Sequence, residues 1–420
     1  MPKPLKLKPR SELDAFLRQI SAERTVSADG EVKLKGHDWE DAPTLIASYF
    51  SLDCGADMQQ MEALLRSALF SGEYLKQEFS ASELVDACEK IRAKKSKQRR
   101  SEFKIVSAIT SYSGIEFSKF ISSDVHLEFD VPENLWSSHI EQAKKHFPDA
   151  YQVSTKYRRV PYIATFKAAT GIEGFERARY EIDVWRGAVN LASNIVKHGR
   201  RSFGTDEVPL NNFVNSKFSS VIDSHGEFVR SGLFFYTQWR PPRNHSLRKE
   251  ARERLQTDIE RYVELISRRH ALSEFSRSML VKYVRATDTP NWLYSFTELW
   301  SVLEQICCIQ SGQDHKKIVE RVSTLYEDKA HTKLMLDHLR VRRNNIIHKG
   351  YEEKSDTSER ILFQLNRYVT QALWLIVSNG LEFSSKDEWV EFLDTTGSVE
   401  ALRAKKIMLD KAIKFRRQDP

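Results

Sequence analysis

The sequence predicts an α+β protein made of a helical N-terminal unit (residues 1–100), a mixed α/β middle domain (101–245) and an all-α up-and-down helical bundle (246–420). Three observations support this. Apolar residues recur at helical spacing in the first hundred residues, alternate as in half-buried strands after residue 102, and form long helical stripes beyond residue 246. Because such stripes are buried against one another, a bundle is the simplest packing for the last part.

The N-terminal unit shows helical spacing over residues 45–50, 58–70 and 82–91, and Ser82 is its candidate helix cap. The unit ends in a basic run over residues 92–100, which contains six lysines and arginines and no acid. This run is either a solvated helix end with a linker or a phosphate-binding patch. Charge runs are common on solvated surfaces, which favours the linker.

The middle domain combines both kinds of apolar spacing. Strands are predicted over residues 103–110, 125–129, 160–168 and 227–239, and helices over 133–146 and 173–191. The last strand region contains Phe234, Phe235, Tyr236 and Trp239. Such aromatic side chains stack on nucleic-acid bases in some proteins, but more often they belong to a core or a sheet face.

The C-terminal part is predicted to be helical throughout. One long helix is expected over residues 247–284, and a second follows Pro290 with Leu293, Phe296, Trp300 and Leu303 on one apolar stripe. Further helices are expected over residues 329–349, ending before Gly350, and over 358–377.

The formal net charge of +7 suits a polyanionic partner, and nucleic acid is favoured over an anionic membrane. No segment approaches the roughly 20 apolar residues of a membrane helix, and the basic N-terminus lacks the apolar core of a signal peptide. No pair among Cys54, Cys88, Cys307 and Cys308 has the spacing of a zinc or redox motif. We therefore expect a cytoplasmic protein with no membrane partner, no metal and no cofactor.

An arginine five residues before a histidine occurs twice, at Arg240–His245 and at Arg343–His348. Two prolines interrupt the first pair, so it cannot lie on a regular helix. The second pair belongs to a predicted helix whose apolar stripe contains Leu339. Spacing alone is therefore weak support, and the helical context distinguishes Arg343–His348.

Position 343 falls on the apolar stripe of its helix, yet it holds an arginine. Because burying an unpaired guanidinium is costly, Arg343 should pair with an acid or line a groove open to solvent. Glu304 on the preceding long helix is the first candidate partner, and Glu298 is the alternative. His348 lies one turn after Asn344, and histidine changes charge near neutral pH, which suits general acid–base chemistry.

Residues 343–348 (Arg-Asn-Asn-Ile-Ile-His) resemble the signature of HEPN-domain ribonucleases, in which an arginine, often followed by a polar residue, precedes a histidine by a short gap. The helix over residues 292–304 is similar to the first core helix of such domains. The resemblance is closer to the Apea-like HEPN subgroup. It covers residues 281–380 and extends faintly over 160–191, leaving the first hundred residues uncovered.

The resemblance implies metal-independent cleavage of RNA by attack of its own 2′-hydroxyl on the neighbouring phosphate. His348 would act as base or acid, Arg343 would neutralise charge in the transition state, and Asn344 would bind phosphate or orient His348. Glu304 or Glu298 would hold Arg343, and Arg342 and Lys349 would add RNA contacts.

Family members usually place two such motifs together across a two-fold axis, so the resemblance also implies a homodimer. A role as a toxin or as an anti-phage defence effector, with a regulatory or antitoxin protein as a possible partner, follows by analogy alone. The alternative is a non-catalytic dimerising module that binds nucleic acid or protein, in which Arg343 forms a structural salt bridge and His348 caps a helix.

Overall fold

The computed structural model describes residues 5–7, 11–27, 32–34, 41–50, 58–76, 78–97, 100–148, 159–195, 208–236, 247–308, 315–349, 356–395 and 399–416. The protein is α+β, as predicted. The chain divides into two compact units, Met1–Arg100 and Ser101–Pro420. The predicted boundary between residues 245 and 246 lies outside the described residues. Residues on both sides of it, such as Trp185 and Trp300, belong to one hydrophobic core.

Where it is described, the first unit is helical apart from a bridge between Leu7 and Phe50 and a short antiparallel hairpin that the sequence did not predict. Its elements are α1 (Ser11–Glu23), β1 (Arg24–Val26), β2 (Val32–Leu34), α2 (Ala42–Ala47), α3 (Met58–Leu69) and α4 (Ala81–Lys97). Ser80, not Ser82, caps α4: its hydroxyl accepts the Glu83 N–H, and the Glu83 carboxylate accepts the Ser80 N–H at 2.7 Å. This reciprocal pair is a capping box.

A buried arginine organises the core of this first unit. Arg24 is fully buried, and its guanidinium donates hydrogen bonds to the main-chain oxygens of Leu69, Ser71 and Leu75 at 2.9 to 3.0 Å. These bonds satisfy carbonyl groups in the turns after α3, which would otherwise be buried without donors.

The second unit begins with a six-stranded antiparallel sheet in the order β4-β5-β6-β3-β7-β8. The strands are β3 (Ser101–Thr110), β4 (Phe120–Ile121), β5 (Val125–Glu128), β6 (Arg159–Ala168), β7 (Phe218–Asp223) and β8 (Phe228–Phe235), and the helices among them are α5 (Glu133–His146) and α6 (Gly171–Ile195). On β3, Ile105 and Ile109 face the large core shared with α6, whereas Val106 faces a small cluster under α5. Alternating side chains thus bury both faces of the central strand.

The rest of the second unit is helical. It comprises α7 (Lys249–Ser267), α8 (Ser273–Asp288), α9 (Trp292–Cys307), α10 (His315–Ser323), α11 (Lys329–Lys349), α12 (Asp356–Ser378), α13 (Lys386–Asp394) and α14 (Val399–Arg416). The single helix predicted over residues 247–284 is wrong, because α7 and α8 are separate. Arg268 has an extended backbone, and the Ser273 hydroxyl accepts the His270 N–H at 2.7 Å before α8 begins.

The contacts of the bundle fix the directions of α8, α9 and α12. Helices α8 and α9 pack together and are joined by residues 289–291, so they run in opposite directions. The His270 side chain, just before α8, forms a hydrogen bond with the main chain of Val377 near the end of α12. Helix α12 therefore runs in the direction of α9 and begins near the start of α9.

Helix α11 runs opposite to α9. Arg321 of α10 donates to the main-chain oxygen of Cys307 at the end of α9 (2.6 Å). Glu320, its neighbour, forms an ion pair with Lys333 near the start of α11. Helix α11 thus starts at the end of α9 and ends near the start of α9. None of the described helices combines the length and apolar composition needed to cross a membrane.

Candidate functional site

The motif residues lie on the last two turns of α11. Leu336, Leu339 and Ile346 form the buried face of this helix. Arg343 continues that stripe and is half-buried, whereas His348 is exposed. At 100° per residue, His348 lies about 140° around the helix axis from Arg343 but only about 40° from Asn344. Asn344 thus lies between an inward arginine and an outward histidine.

The hydrogen bond of Arg343 is local. Its Nη1 donates to Asn344 Oδ1 at 3.4 Å, which is long and therefore weak. Within the described ranges, Arg343 forms no ion pair with Glu304 or Glu298. The pairing of Arg343 with an acid of α9, expected from the sequence, does not form.

The direction of the helices explains why Glu304 is not the partner. The main-chain oxygen of Glu304 accepts the Cys308 N–H, so Glu304 lies on the last turn of α9. Lys333, near the start of α11, lies at that same end. Ten residues separate Lys333 from Arg343, or about 15 Å of helix. Arg343 therefore lies toward the opposite end of α9.

Glu298 faces a different helix. It is exposed, and the charge of its carboxylate interacts with the Lys282 ammonium of α8. Burial lowers the pKa of the Lys282 ammonium, and the charge of Glu298 opposes that shift. Because Glu298 faces α8, it does not pair with Arg343 on α11.

The two residues predicted to add RNA contacts flank the motif. Arg342 is half-buried beside Arg343. Lys349 is the last residue of α11, but its side chain and Gly350 lie outside what the structure describes. Arg342 therefore borders the motif on the side of α11 away from Asn344.

His348 shares its side of α11 with apolar side chains that are exposed. Leu334, Val341 and His348 follow one another at seven-residue intervals and lie on one face. The exposed fractions of Leu334 and Val341 are 70% and 48%. We call Leu334, Val341 and His348 the outer face of α11. Residues seven apart lie on nearly the same side of a helix, so these three side chains form one line along α11.

The aromatic residues proposed for base stacking are partly packed inside the protein. Phe234 stacks on Phe175, with ring centroids 3.6 Å apart. The Arg179 guanidinium lies over the Tyr236 ring at 5.0 Å, and burial raises the pKa of Tyr236. These contacts favour the core interpretation for both residues. Trp239 and the Phe235 side chain lie outside the described residues.

The basic run at the end of α4 is described only in part. Lys94 binds Glu73 at 3.0 Å and lies over the Tyr74 ring, and Arg92 pairs with Glu89 at 3.6 Å. These two side chains contact groups of the protein itself, which at residues 92 and 94 favours the helix end with a linker over the phosphate-binding patch. The side chains of residues 95–99 lie outside the described part.

The cysteines have the environment of packed thiols. Cys88, Cys307 and Cys308 are buried, and Cys54 lies outside the described residues. Burial raises the pKa of the Cys88 thiol to about 12, so it is an unreactive thiol at neutral pH. Among the described residues, no group of three or more His, Cys, Asp and Glu side chains is placed to hold a metal ion.

The sequence analysis missed a buried polar network between α6 and α8. Arg186 binds Asp183 at 2.8 Å and Asp288 at 2.5 Å, and Arg285 also binds Asp183 at 2.8 Å. Asn211 donates to the second oxygen of Asp288 at 2.7 Å. Burial opposes the charge of Arg186, but the two carboxylates outweigh it and raise the pKa of the guanidinium.

This network holds the end of α8 against α6, next to the start of α9. A signal for it exists in the sequence, because Asp183, Arg186, Asn190 and Asn194 recur every three or four residues along the mainly apolar second half of α6. That spacing places the four polar side chains on one stripe. The network's groups bind one another, so we assign it a structural role.

Comparison of the chain with protein-family models, curated proteins and solved structures finds no match.

Proposed function

We propose that this protein is a metal-independent endoribonuclease of the HEPN type, with Arg343, Asn344 and His348 as its catalytic residues. The observation that carries the proposal is their arrangement at the end of α11. A half-buried arginine without an acidic partner among the described residues, an asparagine and an exposed histidine follow one another around the helix. Arg343 is thereby left available for a phosphate, and His348 is open to a large substrate.

In the proposed reaction, the imidazole of His348 takes the proton of an RNA 2′-hydroxyl. The 2′-oxygen attacks the adjacent phosphorus, a 2′,3′-cyclic phosphate forms, and the bond to the 5′-oxygen breaks. That leaving oxygen takes a proton from a second imidazole, which enters the reaction protonated and leaves it neutral. Arg343 neutralises the charge that develops on the phosphate oxygens, and Asn344 hydrogen-bonds to phosphate.

The second imidazole comes from a second copy of the chain in this proposal. His348 lies on the outer face of α11, next to the exposed Val341 and in line with Leu334. A symmetric contact through this face buries both apolar side chains and brings the partner's His348 toward the same phosphate. Apolar exposure beside the proposed catalytic histidine supports a homodimer, and the family resemblance supports a toxin or anti-phage defence role.

The alternative is a dimerising module that binds RNA without cutting it. One observation favours it. Among the described residues, the weak contact with Asn344 is the one hydrogen bond that orients Arg343, whereas catalytic groups are usually held rigidly by their neighbours. In that case Arg343, Arg342 and His348 bind phosphate, and cleavage does not occur.

One experiment separates the two functions. Purified protein is incubated with total RNA in EDTA, and the products are sequenced after ligation that requires 2′,3′-cyclic phosphate ends. We expect cleavage by the wild type and a loss of at least about a hundredfold in His348→Ala. His338→Ala is the matched control, because His338 is another exposed histidine of α11.

Equal cleavage by wild type and His348→Ala overturns the catalytic role of His348. RNA binding without cleavage by the wild type, also after RNA from phage-infected cells is added as a trigger, establishes the binding module instead. Cleavage that needs a divalent cation contradicts the proposed mechanism.

A further inference from the structure

The last described helix, α14, contains no buried residue, and every side chain from Val399 to Arg416 is exposed. Helices in folded domains normally bury one face, because packing supplies most of their stability. Helix α14 therefore presents its whole circumference to a partner or to water.

Its exposed residues include seven large apolar side chains in eighteen positions, far more than isolated surface residues would explain. They are Val399, Leu402, Ile407, Met408, Leu409, Ile413 and Phe415, with exposed fractions from 38% to 77%. Exposure of so much apolar surface to water is unfavourable, so these side chains indicate a contact surface.

The apolar residues are not spread evenly. At 100° per residue, about half of the circumference is occupied by Ala401, Leu402, Ala404, Met408, Leu409, Ala412, Ile413 and Phe415. The opposite half contains Arg403, Lys406, Asp410, Lys411 and Lys414, together with Val399, Glu400 and Ile407. Lys405 and Arg416 fall near the middle of the apolar half, where their long apolar stems can cover apolar surface while their charges extend back to the headgroups.

The helix is strongly basic. It has six lysines and arginines and two acids, which gives 6 − 2 = +4. We propose that α14 binds an anionic lipid surface, lying in its plane with the apolar half among the acyl chains and the basic residues at the headgroups. Apolar burial and attraction to anionic lipids together drive binding of such helices.

Other occupants use only part of these features. A second copy of α14 would place a charge of +4 beside another +4. A single partner helix covers a narrow seam, whereas the apolar residues here span about half of the helix. RNA would use the charges and leave Leu409, Ile413 and Phe415 in water. An anionic lipid surface is the occupant that uses both the width of the apolar half and the charge.

An in-plane helix does not need the length of a spanning helix. The expectation of no membrane partner was drawn from the lack of a long apolar segment, and it does not apply to a helix that lies on the surface. The proposal is independent of the ribonuclease activity proposed for α11.

The test is co-sedimentation of the full-length protein with vesicles of phosphatidylcholine containing about one third phosphatidylglycerol, compared with phosphatidylcholine alone. We expect binding to the anionic vesicles. The double variant Leu409→Glu/Ile413→Glu should lose at least about tenfold in partitioning, and Lys406→Gln/Lys411→Gln roughly tenfold. Leu381→Glu is the matched control, because Leu381 is 61% exposed but lies outside α14.

Because none of the substituted residues of α14 is buried, all variants should keep the thermal melting profile of the wild type. Lack of wild-type binding to the anionic vesicles overturns the proposal, as does unchanged binding by Leu409→Glu/Ile413→Glu. If that variant instead changes from dimer to monomer in light scattering without any vesicle binding, a second copy is the occupant. If the lysine variant loses RNA binding and vesicles never bind, the occupant is RNA.

Discussion

Replacing Arg343 by leucine separates the two interpretations of this residue, because they predict opposite changes in stability. Arg343 continues the stripe of Leu336, Leu339 and Ile346, and in the described ranges it has one weak hydrogen bond, to Asn344. If Arg343 has a catalytic role, its charge does not stabilise the fold, and a leucine at this position should pack well with the apolar stripe. If it forms a structural salt bridge, leucine should leave a buried acid without a partner.

The magnitude follows from burial and from the single contact. Full burial of a leucine side chain is worth about 1.5–3 kcal/mol, and a half-buried position gives roughly half of that. The loss of the packed arginine stem and of a hydrogen bond 3.4 Å long offsets part of this gain. We expect the free energy of unfolding of Arg343→Leu to rise by about 0–1 kcal/mol. RNA cleavage should fall by about a hundred- to a thousandfold.

Both quantities are measured on the same preparation, by urea denaturation and by cleavage of a labelled RNA. Arg340→Leu is the control, since Arg340 lies one turn earlier and pairs with Asp337 at 2.9 Å. It should lose less than about 1 kcal/mol and retain activity. A loss of more than about 2 kcal/mol in Arg343→Leu would refute the reasoning, because only a broken structural contact explains it. Retained cleavage would remove Arg343 from the site.

Three further predictions concern the fold around the site. Arg186→Met should lower the free energy of unfolding by about 3–5 kcal/mol in urea, because Asp288 loses its ion pair and retains the neutral Asn211 amide, while Asp183 retains Arg285. Asn291→Ala should cost about 1 kcal/mol, because the Asn291 side chain caps α9 by accepting the Tyr294 N–H. Burial, assisted by the charge of Arg159, lowers the pKa of His139 to about 4. As the pH falls, the unfolded state therefore binds a proton at His139 before the folded state does. The free energy of unfolding should fall by about 3 kcal/mol between pH 7 and pH 4.

Each of these predictions has its own control. Arg177→Met, at a half-buried arginine of the same helix that donates one hydrogen bond to the Lys167 main chain, should cost less than about 1 kcal/mol, and an equal loss in both variants would contradict the role of the network. For α9, Asn291→Ser should retain the cap, so a loss as large as that of Asn291→Ala would count against it. His139→Phe should remove that part of the pH dependence, and an unchanged slope would show that other groups cause it.

The elements predicted well are those whose apolar pattern is local. The helix predicted over residues 133–146 is α5, and the strand predicted over 160–168 is β6 with one more residue at its start. Strand β7 was missed because five of its six residues are buried, so Phe218–Asp223 shows no alternation of buried and exposed positions. A central strand buried on both faces lacks the signal that alternation depends on.

The break between α7 and α8 was missed for a related reason. No proline or glycine lies between Arg268 and Leu272. The chain leaves the helix at Arg268, and α8 begins at Ser273 without a side-chain cap, because its N-cap residue is Leu272. The sequence could have identified the α4 cap correctly. Glu83 follows Ser80 by three residues, which is the spacing of a capping box, but it follows Ser82 directly.

At the candidate site, position along one helix was predictable and position between helices was not. The i+4 step from Leu339 to Arg343 placed the arginine on the buried stripe, where it lies. Choosing Glu304 as its partner also required the relative direction of α9 and α11. That direction is set by the contacts of Arg321 with Cys307 and of Glu320 with Lys333, and none of these has a signature in the sequence.

The correction at Glu304 changes what Arg343 is able to do. A guanidinium already held by a carboxylate must share its donors with a phosphate, and the carboxylate repels that phosphate. In the described part of the chain, Arg343 instead meets the neutral amide of Asn344. A phosphate therefore finds a half-buried positive charge that no acid with a described side chain neutralises, and partial burial strengthens their attraction relative to water. The missing acid weakens the argument for a rigidly held arginine but strengthens the argument that its counter-charge is the substrate.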